Sequence, residues 1–431
     1  MKKSILNILC ILTFCVFILI FLQERAQIFT LKKLNGVYKP NEKVELTLDN
    51  FYNGSYQNSL ETDLRFDFGF REVLIRLYNQ YLWDFYHKSS NYTVMVGKDN
   101  WLFGREEVVN YYQSAMYQYT KDRDIMKRQF DMEAQRMYKV QNILDDYGIF
   151  VFVSMLPAKT FVFPEYLPEN PGLSLKPFHG FQYYPHVFDS LGINYINLEQ
   201  IFENEKGNTE YQLFPKSGKH WTNVASAYAF DTILRFIEKN GDMNLNNYTI
   251  CEPFECEPIY PDNDYELLLN LMRPIKGNKY YDAKIIVEND ETAIKPKFII
   301  IGDSFFWNIN KIIPLKRVFS SYSYWYYNST IYFDSNHNNT SEVDILDEIF
   351  SSKIIDLSYS PEQLYVFSNK FLSKALLYLT HEDSEIDSVL NIVTKEELFA
   401  EPEKFFPDLA DDGIPTTRNS RISNYLQPTD H

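Results

Sequence analysis

The chain has 431 residues, enough for one large or two medium-sized domains with a sizeable core. Its formal net charge is −16, and no long basic cluster lies beyond the extreme N-terminus. This excludes nucleic acid as a partner, because nothing could neutralise a run of phosphates. Aromatic residues are abundant, at 33 Tyr, 34 Phe and 5 Trp. Tyrosine-rich surfaces suit flat polar ligands such as sugars, although larger cores explain the abundance equally well.

The N-terminus predicts a membrane anchor. Lys2 and Lys3 precede an uncharged, mainly apolar stretch at residues 4–22, whose length matches one bilayer crossing. The two lysines predict that the tip stays in the cytoplasm. No good Ala-x-Ala site follows the stretch, which favours an uncleaved signal anchor over a cleaved signal peptide. We therefore expect a cytoplasmic tip and transmembrane helix at residues 1–22, in the inner membrane, with the remainder facing the periplasm.

The next segments are interpreted in chain order. Residues 23–64 are mixed and polar and are interpreted as a stalk. Apolar residues at helical spacing within residues 61–90 predict an amphipathic helix. Its predicted apolar face consists of Leu74, Leu77, Tyr78, Tyr81, Leu82 and Phe85. A hairpin is predicted at residues 93–106 and a long charged helix at residues 121–147, ending at Gly148.

From residue 149 onward, strand and helix patterns alternate. Continuous apolar, β-branched runs predict buried strands at residues 149–157 and 297–306. Residues 193–198 continue the alternation after a helix, and a helix–strand pair follows near residues 343–359. Further helices are predicted near residues 180–191, 223–240 and 361–379. This alternation predicts an α/β domain with a mostly parallel sheet over residues 65–380. Residues 381–431 are acidic and aperiodic and are interpreted as a tail or a small add-on.

Two cysteines lie outside the apolar N-terminus. Cys251 and Cys256 occur in CEPFEC, and on the extracytoplasmic side a disulfide between them is permitted. Metal binding is less favoured, because no second Cys or His pair accompanies them at zinc spacing. We predict a possible disulfide and no metal site.

The motif GDS ends the strand predicted at residues 297–306. Functional groups collect at the carboxyl ends of parallel strands, so Ser304 would present its hydroxyl and free backbone N–H groups there. Such a serine could attack an acyl carbon while nearby N–H groups stabilise the oxyanion. Turn chemistry alone also favours Gly, Asp and Ser, so the motif by itself is weak.

Two more strand or loop ends carry candidate groups. His220, in GKHWT, precedes a predicted helix and could serve as a base, or could be a surface or helix-cap residue. Lys159, in MLPAK, follows the strand at residues 149–157 and could point toward the same pocket, or could be a solvated loop lysine.

The order of the motifs carries more information than any one of them. The chain presents GKDNWLF, then a strand ending in P-x-K with YLP downstream, then HW before a long helix, and then a strand ending in GDSF. This order resembles the alginate O-acetyltransferase-like family over roughly residues 65–375. The resemblance implies an SGNH-hydrolase-like three-layer fold that is circularly permuted, with the histidine motif before the serine motif.

The resemblance also implies roles for individual residues. Ser304 would be the nucleophile and His220 its general base, while Gly302 and Asp303 would shape the turn and the oxyanion surroundings. The oxyanion asparagine of ordinary SGNH enzymes has no evident counterpart. Asn328, in YWYYNST after a strand-like aromatic run, is the candidate to test first, although the pattern favours an inert loop asparagine.

One departure from the family pattern concerns the histidine. The family's usual motif is Asp-x-His-Trp, and its aspartate orients the imidazole, whereas this chain has Gly218 at that position. A backbone carbonyl could orient His220 instead, an acid from elsewhere could substitute, or activity could be lost. Asp262 and Asp264 are the candidate acids. Losing the orienting carboxylate of a triad can cost about 10⁴-fold in rate.

The functional expectation follows from the resemblance and the anchor. It is an extracytoplasmic O-acetyltransferase that acetylates hydroxyl groups of a cell-surface or secreted polysaccharide through an acyl-serine intermediate, without a cofactor. The resemblance implies a membrane-bound O-acyltransferase as acetyl donor partner, and tethering to the same membrane raises the local concentration. Two alternatives stay open: an esterase that removes acetyl groups from polysaccharide with the same site, and a non-catalytic polysaccharide-binding or assembly protein on a degenerate SGNH fold.

Overall fold

A computed structural model describes eight segments of the chain, residues 2–36, 43–66, 68–113, 122–169, 178–333, 336–364, 368 and 370–380. The helices within them are α1 Lys2–Ala26, α2 Leu48–Tyr52, α3 Ser55–Phe66, α4 Arg71–Tyr86, α5 Arg105–Gln113, α6 Arg123–Asp145, α7 Lys159–Val162, α8 Gly180–Leu191, α9 Leu198–Glu205, α10 Asn223–Gly241, α11 Asp264–Leu269, α12 Phe306–Ile312, α13 Leu315–Val318, α14 Ile345–Ser351 and α15 Phe371–Thr380.

The strands are β1 Val94–Val96, β2 Leu102–Gly104, β3 Phe150–Met155, β4 Tyr195–Asn197, β5 Tyr248–Ile250, β6 Phe254–Cys256, β7 Tyr280–Asp282, β8 Ile285–Val287, β9 Lys297–Gly302, β10 Ser321–Tyr326, β11 Thr330–Tyr332, β12 His337–Asn339 and β13 Ile354–Tyr359. Seven of them form the central sheet in the order β12-β11-β10-β9-β13-β3-β4. The five strands from β10 to β4 run parallel, while β11 and β12 extend one edge antiparallel. The predicted α/β architecture with a mostly parallel sheet is confirmed.

Helices cover both faces of this sheet, which makes three layers. The alternation of side chains along a strand divides β9, with Ile299 and Ile301 facing one core and Phe298 and Ile300 facing the other. The first core is completed by α6, α8, α14 and α15, and the second by α9, α10, α12 and α13. Strands β3, β9 and β13 lie inside the sheet with both faces buried, which explains why their sequences are continuous apolar runs.

A smaller core connects the N-terminal part of the chain to the sheet domain. It contains Trp83 from α4, Val94 and Leu102 from the β1–β2 hairpin, and Tyr265 and Leu269 from α11. The hairpin was predicted, whereas α11 was not. Two further small sheets, β5–β8 and β6–β7, were also not predicted.

After helix α1, the N-terminal region differs from the sequence interpretation in two respects. The described helix α1 contains one candidate membrane span, Leu6–Ala26. Most of residues 48–64, which were interpreted as part of the stalk, lie in α2 and α3. The helix predicted within residues 61–90 is divided between α3, which ends at Phe66, and α4, which begins at Arg71, and most of its predicted apolar face is exposed to solvent.

Two further predictions are not tested by the structure. Cys251 and Cys256 are both half-buried free thiols, so their disulfide stays a prediction that mass measurement of the exported chain would test. The predicted tail at residues 381–431 lies outside the described residues.

Candidate active site

The structure brings Ser304 and His220 together across 84 residues of sequence. Ser304 lies in the turn between β9 and α12, at the carboxyl edge of the parallel sheet, and His220 lies in the loop before α10. His220 Nε2 and Ser304 Oγ are 2.8 Å apart, a hydrogen-bond distance. Nε2 accepts the serine proton when the imidazole carries its own proton on Nδ1. This is the arrangement that a serine nucleophile and its base require.

Neighbouring groups fix this pair. Trp221 Nε1 donates to the Phe305 carbonyl at 3.1 Å, which ties the histidine motif to the serine turn. Asn308 Nδ2, on α12, donates to the Trp221 carbonyl and to Asn223 Oδ1, each at 3.2 Å. The Phe305 ring packs edge-on against the His220 ring with centroids 5.0 Å apart. The relative position of the nucleophile and the base is therefore set by buried contacts of the residues next to them.

An acid from outside the histidine motif lies beside His220. Asp264 Oδ2 is 3.4 Å from His220 Nδ1, which is an ion-pair distance but not hydrogen-bond geometry. Among the residues that the structure describes, Nδ1 has no hydrogen-bond partner, so no backbone carbonyl orients the ring. The other oxygen, Asp264 Oδ1, accepts from Lys219 N at 2.9 Å and from Tyr265 N at 2.7 Å. These two bonds hold the carboxylate next to the imidazole.

Gly218 makes this position of Asp264 possible. A Cβ at residue 218 would lie 2.5 Å from the Asp262 carbonyl oxygen and 2.8 Å from that of Pro261. The loop at residues 259–264 thus occupies the space that a side chain at position 218 would need. Ser217 Oγ donates to the Asp262 carbonyl at 3.3 Å and joins the two loops. The glycine therefore accommodates the loop that delivers Asp264.

Asp262, the other candidate acid, turns back into its own loop. Its Oδ2 accepts from Ile259 N at 3.4 Å. Burial raises the pKa of Asp262 to about 7, although the bond from Ile259 and the nearby Lys311 oppose the shift. Of the two aspartates, Asp264 is the one that contacts His220.

Gly302 and Asp303 hold the serine turn against the neighbouring strand. A Cβ at Gly302 would lie 2.2 Å from the Ser358 carbonyl oxygen of β13, so only glycine allows this approach. The buried carboxylate of Asp303 accepts from Phe305 N at 3.2 Å and from Ser360 N at 2.8 Å. Since it accepts these bonds, Asp303 shapes the turn, and a carboxylate has no N–H or O–H to offer an oxyanion.

Asn328 lies next to the serine turn at the same edge of the sheet. Tyr326 of β10 is paired in register with Gly302 of β9, so Asn328 and Ser304 are each two residues beyond paired positions. Asn328 is buried and adopts a left-handed backbone conformation, φ 50°. Its carbonyl accepts from Thr340 Oγ1 at 3.2 Å, which anchors the turn. Asn328 therefore stays a candidate for the oxyanion donor.

Lys159 is neither solvated nor directed at the reacting pair. It is fully buried, and its Nζ donates to the carbonyls of Leu102 at 2.7 Å, Gly218 at 2.8 Å and Lys216 at 3.0 Å. These three acceptors match the three N–H groups of an ammonium. Burial lowers the pKa of Lys159 to about 7, while Glu107 and Asp264 oppose the shift. Lys159 therefore fixes the backbone two residues before His220.

Three charged residues that the sequence interpretation missed border the site: Lys219, Glu107 and Glu362. Lys219 Nζ is 3.8 Å from Glu107 Oε1 and 3.8 Å from Glu362 Oε2. Burial raises the pKa of Glu362 to about 7, with Lys219 opposing and Glu107 adding to the shift. Glu362 follows β13 just as Ser304 follows β9, so the rule that functional groups collect at strand ends could have found it. Glu107 and Lys219 do not follow a strand of the central sheet, so this rule would not have found them.

The family resemblance predicted from the motifs is confirmed. Residues 94–297 match the family model described as "SGNH hydrolase-like domain, acetyltransferase AlgX". The matched region includes the β1–β2 hairpin, Lys159 and His220, but it ends before Ser304. The match is also shorter than the predicted range of residues 65–375. No curated protein matches the chain.

Several solved structures are similar to this chain. The O-acetyltransferase domain of Pseudomonas putida AlgJ has 14% identity and a TM-score of 0.41, covering 69% of this chain and 98% of that one. Bacillus cereus PatB1 has 12% identity and a TM-score of 0.38, covering 63% and 96%. Pseudomonas aeruginosa AlgX has 13% identity and a TM-score of 0.34, covering 62% and 54%.

Proposed function

We propose, on the premise that residues 94–297 carry an SGNH hydrolase-like domain of the AlgX acetyltransferase type, that this chain is an O-acetyltransferase. Its acceptor would be hydroxyl groups of a polysaccharide outside the cytoplasm. The observation that carries the proposal is the 2.8 Å contact between Ser304 Oγ and His220 Nε2 at the carboxyl edge of the sheet. Asp264 completes the group as the residue that positions His220.

In the first half-reaction, the Ser304 hydroxyl proton moves to His220 Nε2 as Oγ attacks the carbonyl carbon of the acetyl donor. The backbone N–H of Ser304 and the side-chain amide of Asn328 would stabilise the oxyanion. The tetrahedral intermediate collapses when the bond to the donor's leaving group breaks, and that group takes the proton from Nε2. Acetyl-Ser304 remains.

In the second half-reaction, a sugar hydroxyl attacks the acetyl carbon and gives its proton to Nε2. Collapse releases the acetylated sugar, and the proton returns to Ser304 Oγ. Asp264 acts throughout by favouring the tautomer with a proton on Nδ1 and by stabilising the imidazolium that forms twice in each cycle. Water could replace the sugar in this step, which would make the enzyme an esterase.

The setting of the reaction is part of the proposal. We infer that α1 anchors the chain in the inner membrane with the sheet domain on the periplasmic side, because Lys2 and Lys3 precede its apolar stretch. The donor partner would be a membrane-bound O-acyltransferase that brings acetyl groups across the bilayer.

Labelling tests whether the serine is activated. The full chain in detergent is treated with a fluorescent sulfonyl fluoride, alongside Ser304→Ala and His220→Ala. We expect labelling of the wild type, none of Ser304→Ala and strongly slowed labelling of His220→Ala. Ser320→Ala and His186→Ala, which alter exposed residues away from the site, should label like the wild type. Absence of labelling in the folded wild type, or labelling that is unchanged in His220→Ala, would favour the non-catalytic alternative.

Transfer is then separated from hydrolysis. The same protein is incubated with a chromogenic acetyl ester, with and without oligosaccharide acceptors, and the products are analysed by mass spectrometry. Acetylated oligosaccharide that depends on Ser304 supports the transferase. Acetate release that does not respond to any acceptor supports the esterase.

A further inference from the structure

Helix α4 has the reverse of the usual polarity of a surface helix. Seven residues of α4 are exposed, and all of them except Asp84 are apolar or aromatic. Five of these lie on one face: Leu74 at 42%, Leu77 at 50%, Tyr78 at 57%, Tyr81 at 48% and Phe85 at 72% exposed. We call these five residues the α4 stripe. The residues that it buries are Arg76, Asn79 and Trp83. An ordinary amphipathic helix would turn the stripe toward the core.

Specific hydrogen bonds fix this orientation. Arg76 Nη2 donates to the Lys33 carbonyl at 2.7 Å, and Asn79 Nδ2 donates to the Leu269 carbonyl at 2.8 Å. Asn79 Oδ1 also accepts from Ser90 Oγ at 2.6 Å. Rotating α4 to bury the stripe would break these bonds and leave buried polar groups without partners, which is costly. The exposed stripe is therefore the stable state of the folded chain.

The stripe is continuous and carries no charge. Its members follow the spacing i, i+3, i+4, i+7 and i+11, which places them on one face of a helix. The nearest acidic residue, Asp84, lies at the edge of the stripe and is paired with Arg273 at 2.7 Å. An exposed apolar surface of this kind marks a region covered by a membrane or by another molecule.

The position of α4 next to α1 favours the membrane. A Cβ at Gly69, in the turn before α4, would lie 2.1 Å from the Ile20 carbonyl oxygen and 2.8 Å from Glu24 N, so the two backbones are in contact. The rings of Phe29 and Phe70 also contact each other, with centroids 6.0 Å apart. The stripe thus begins where the apolar surface of α1 ends.

The neighbouring residues have the composition of a membrane interface. Two tyrosines lie within the stripe, and Tyr is enriched where a protein meets both lipid tails and head groups. Other large apolar residues are exposed in the segments between α1 and α4: Ile28, Phe29, Leu46, Leu48, Phe51 and Tyr52. Arg25, Lys32 and Lys33 follow the apolar part of α1, and long basic side chains near the end of a membrane-spanning helix reach the head-group region.

We propose that α4 lies in the surface of the bilayer that α1 crosses, with the α4 stripe inserted at the boundary between head groups and acyl chains. This inference rests on the anchoring that is part of the proposed function. Through Trp83, α4 packs on Tyr265 and Leu269 of α11, the helix that begins at Asp264. Seating α4 on the bilayer would hold the sheet domain close to the membrane, where a membrane-bound acetyl donor is located.

The test measures lipid contact in the full chain. The four native cysteines are replaced by serine, and Tyr81→Cys or Phe85→Cys is introduced in that background. Each single cysteine is labelled with the environment-sensitive fluorophore NBD. The protein is reconstituted, one copy per nanodisc, in phosphatidylethanolamine and phosphatidylglycerol, with or without lipids brominated near the head-group end of the acyl chains. Leu19→Cys in α1 and Ile286→Cys, an exposed residue of β8, are the matched controls. Thermal unfolding confirms that each variant is folded.

We expect brominated lipids to quench the probes at positions 81 and 85 several-fold more than the probe at position 286. A probe at position 81 that behaves like the one at position 286 would overturn the proposal. A blue-shifted probe that brominated lipids do not quench would also overturn it, because protein rather than lipid would then cover the stripe. If the probe at position 19 is not quenched, the anchoring fails as well. Quenching at position 19 alone refutes only the placement of α4.

Discussion

Replacing Asp264 by asparagine should slow the acyl-transfer chemistry without disturbing the fold. With an effective dielectric constant of about 20, a charge pair at the 3.4 Å separation of Asp264 Oδ2 and His220 Nδ1 is worth about 5 kcal/mol. The side chains are 13% and 17% exposed, so solvent reduces this figure. A loss of about 3–4 kcal/mol from the imidazolium-like transition state corresponds to a fall in the rate of acetyl-enzyme formation of about 10²- to 10³-fold.

The substitution is suited to this test because an asparagine Oδ1 can still accept from Lys219 N and Tyr265 N, as the aspartate does. The assay is the rate of acetyl-enzyme formation in single-turnover experiments with a chromogenic acetyl ester. Asp262→Asn is the control, since that carboxylate belongs to the same loop but faces Ile259. A rate for Asp264→Asn close to the wild-type rate, or equal losses in the two variants, would refute the assignment of Asp264.

Four further predictions follow from the site and from the core. Gly218→Ala should lower Tm and abolish labelling of Ser304, because its Cβ would lie 2.5 Å from a backbone oxygen; unchanged Tm would contradict the packing of the 259–264 loop. Lys159→Met should lower the free energy of unfolding in urea by about 3 kcal/mol or more, since it leaves three carbonyls unsatisfied. Asn328→Ala should lower kcat about 10²-fold or more with little change in KM if its amide stabilises the oxyanion; a change in KM alone would refute that role. Burial raises the pKa of Asp356 to about 7. Between about pH 4 and pH 7 the folded state therefore holds a proton that the unfolded chain has lost, and the free energy of unfolding should fall as pH rises through this range. Asp356→Asn should flatten this part of the curve of unfolding free energy against pH, and an unchanged slope would contradict the prediction.

The elements that the sequence predicted are those that depend on local patterns. Strands β3 and β9 were predicted because a strand buried on both faces must be apolar throughout, and α10 because its helical periodicity is long and uninterrupted. The proximity of Ser304 and His220 could be anticipated for a similar reason. Ends of parallel strands and the loops beside them meet at one edge, so two motifs far apart in sequence converge there.

The features that could not be predicted depend on contacts between distant segments. The spacing of the α4 stripe is visible in the sequence, but its direction is set by the carbonyls of Lys33 and Leu269, which no local pattern reveals. Lys159 could be interpreted as a solvated loop residue, because its three acceptors come from strand β2 and from the loop before α10, both distant in sequence. Asp264 could be named only as one of two aspartates, since both lie in an irregular loop whose path was unknown.

Gly218 has a consequence for how such a site can be rebuilt. An aspartate at position 218 and the present course of residues 259–264 exclude each other, because the first atom of any side chain there would overlap the Pro261–Asp262 backbone. The acid can therefore come from either of two directions, but not from both at once. Converting this site to an Asp-x-His-Trp arrangement would require shortening or redirecting a loop together with the point substitution. The carboxylate would have the same chemical role in both arrangements. What decides between them is whether the backbone of residues 259–264 or a side chain at position 218 occupies the space beside His220.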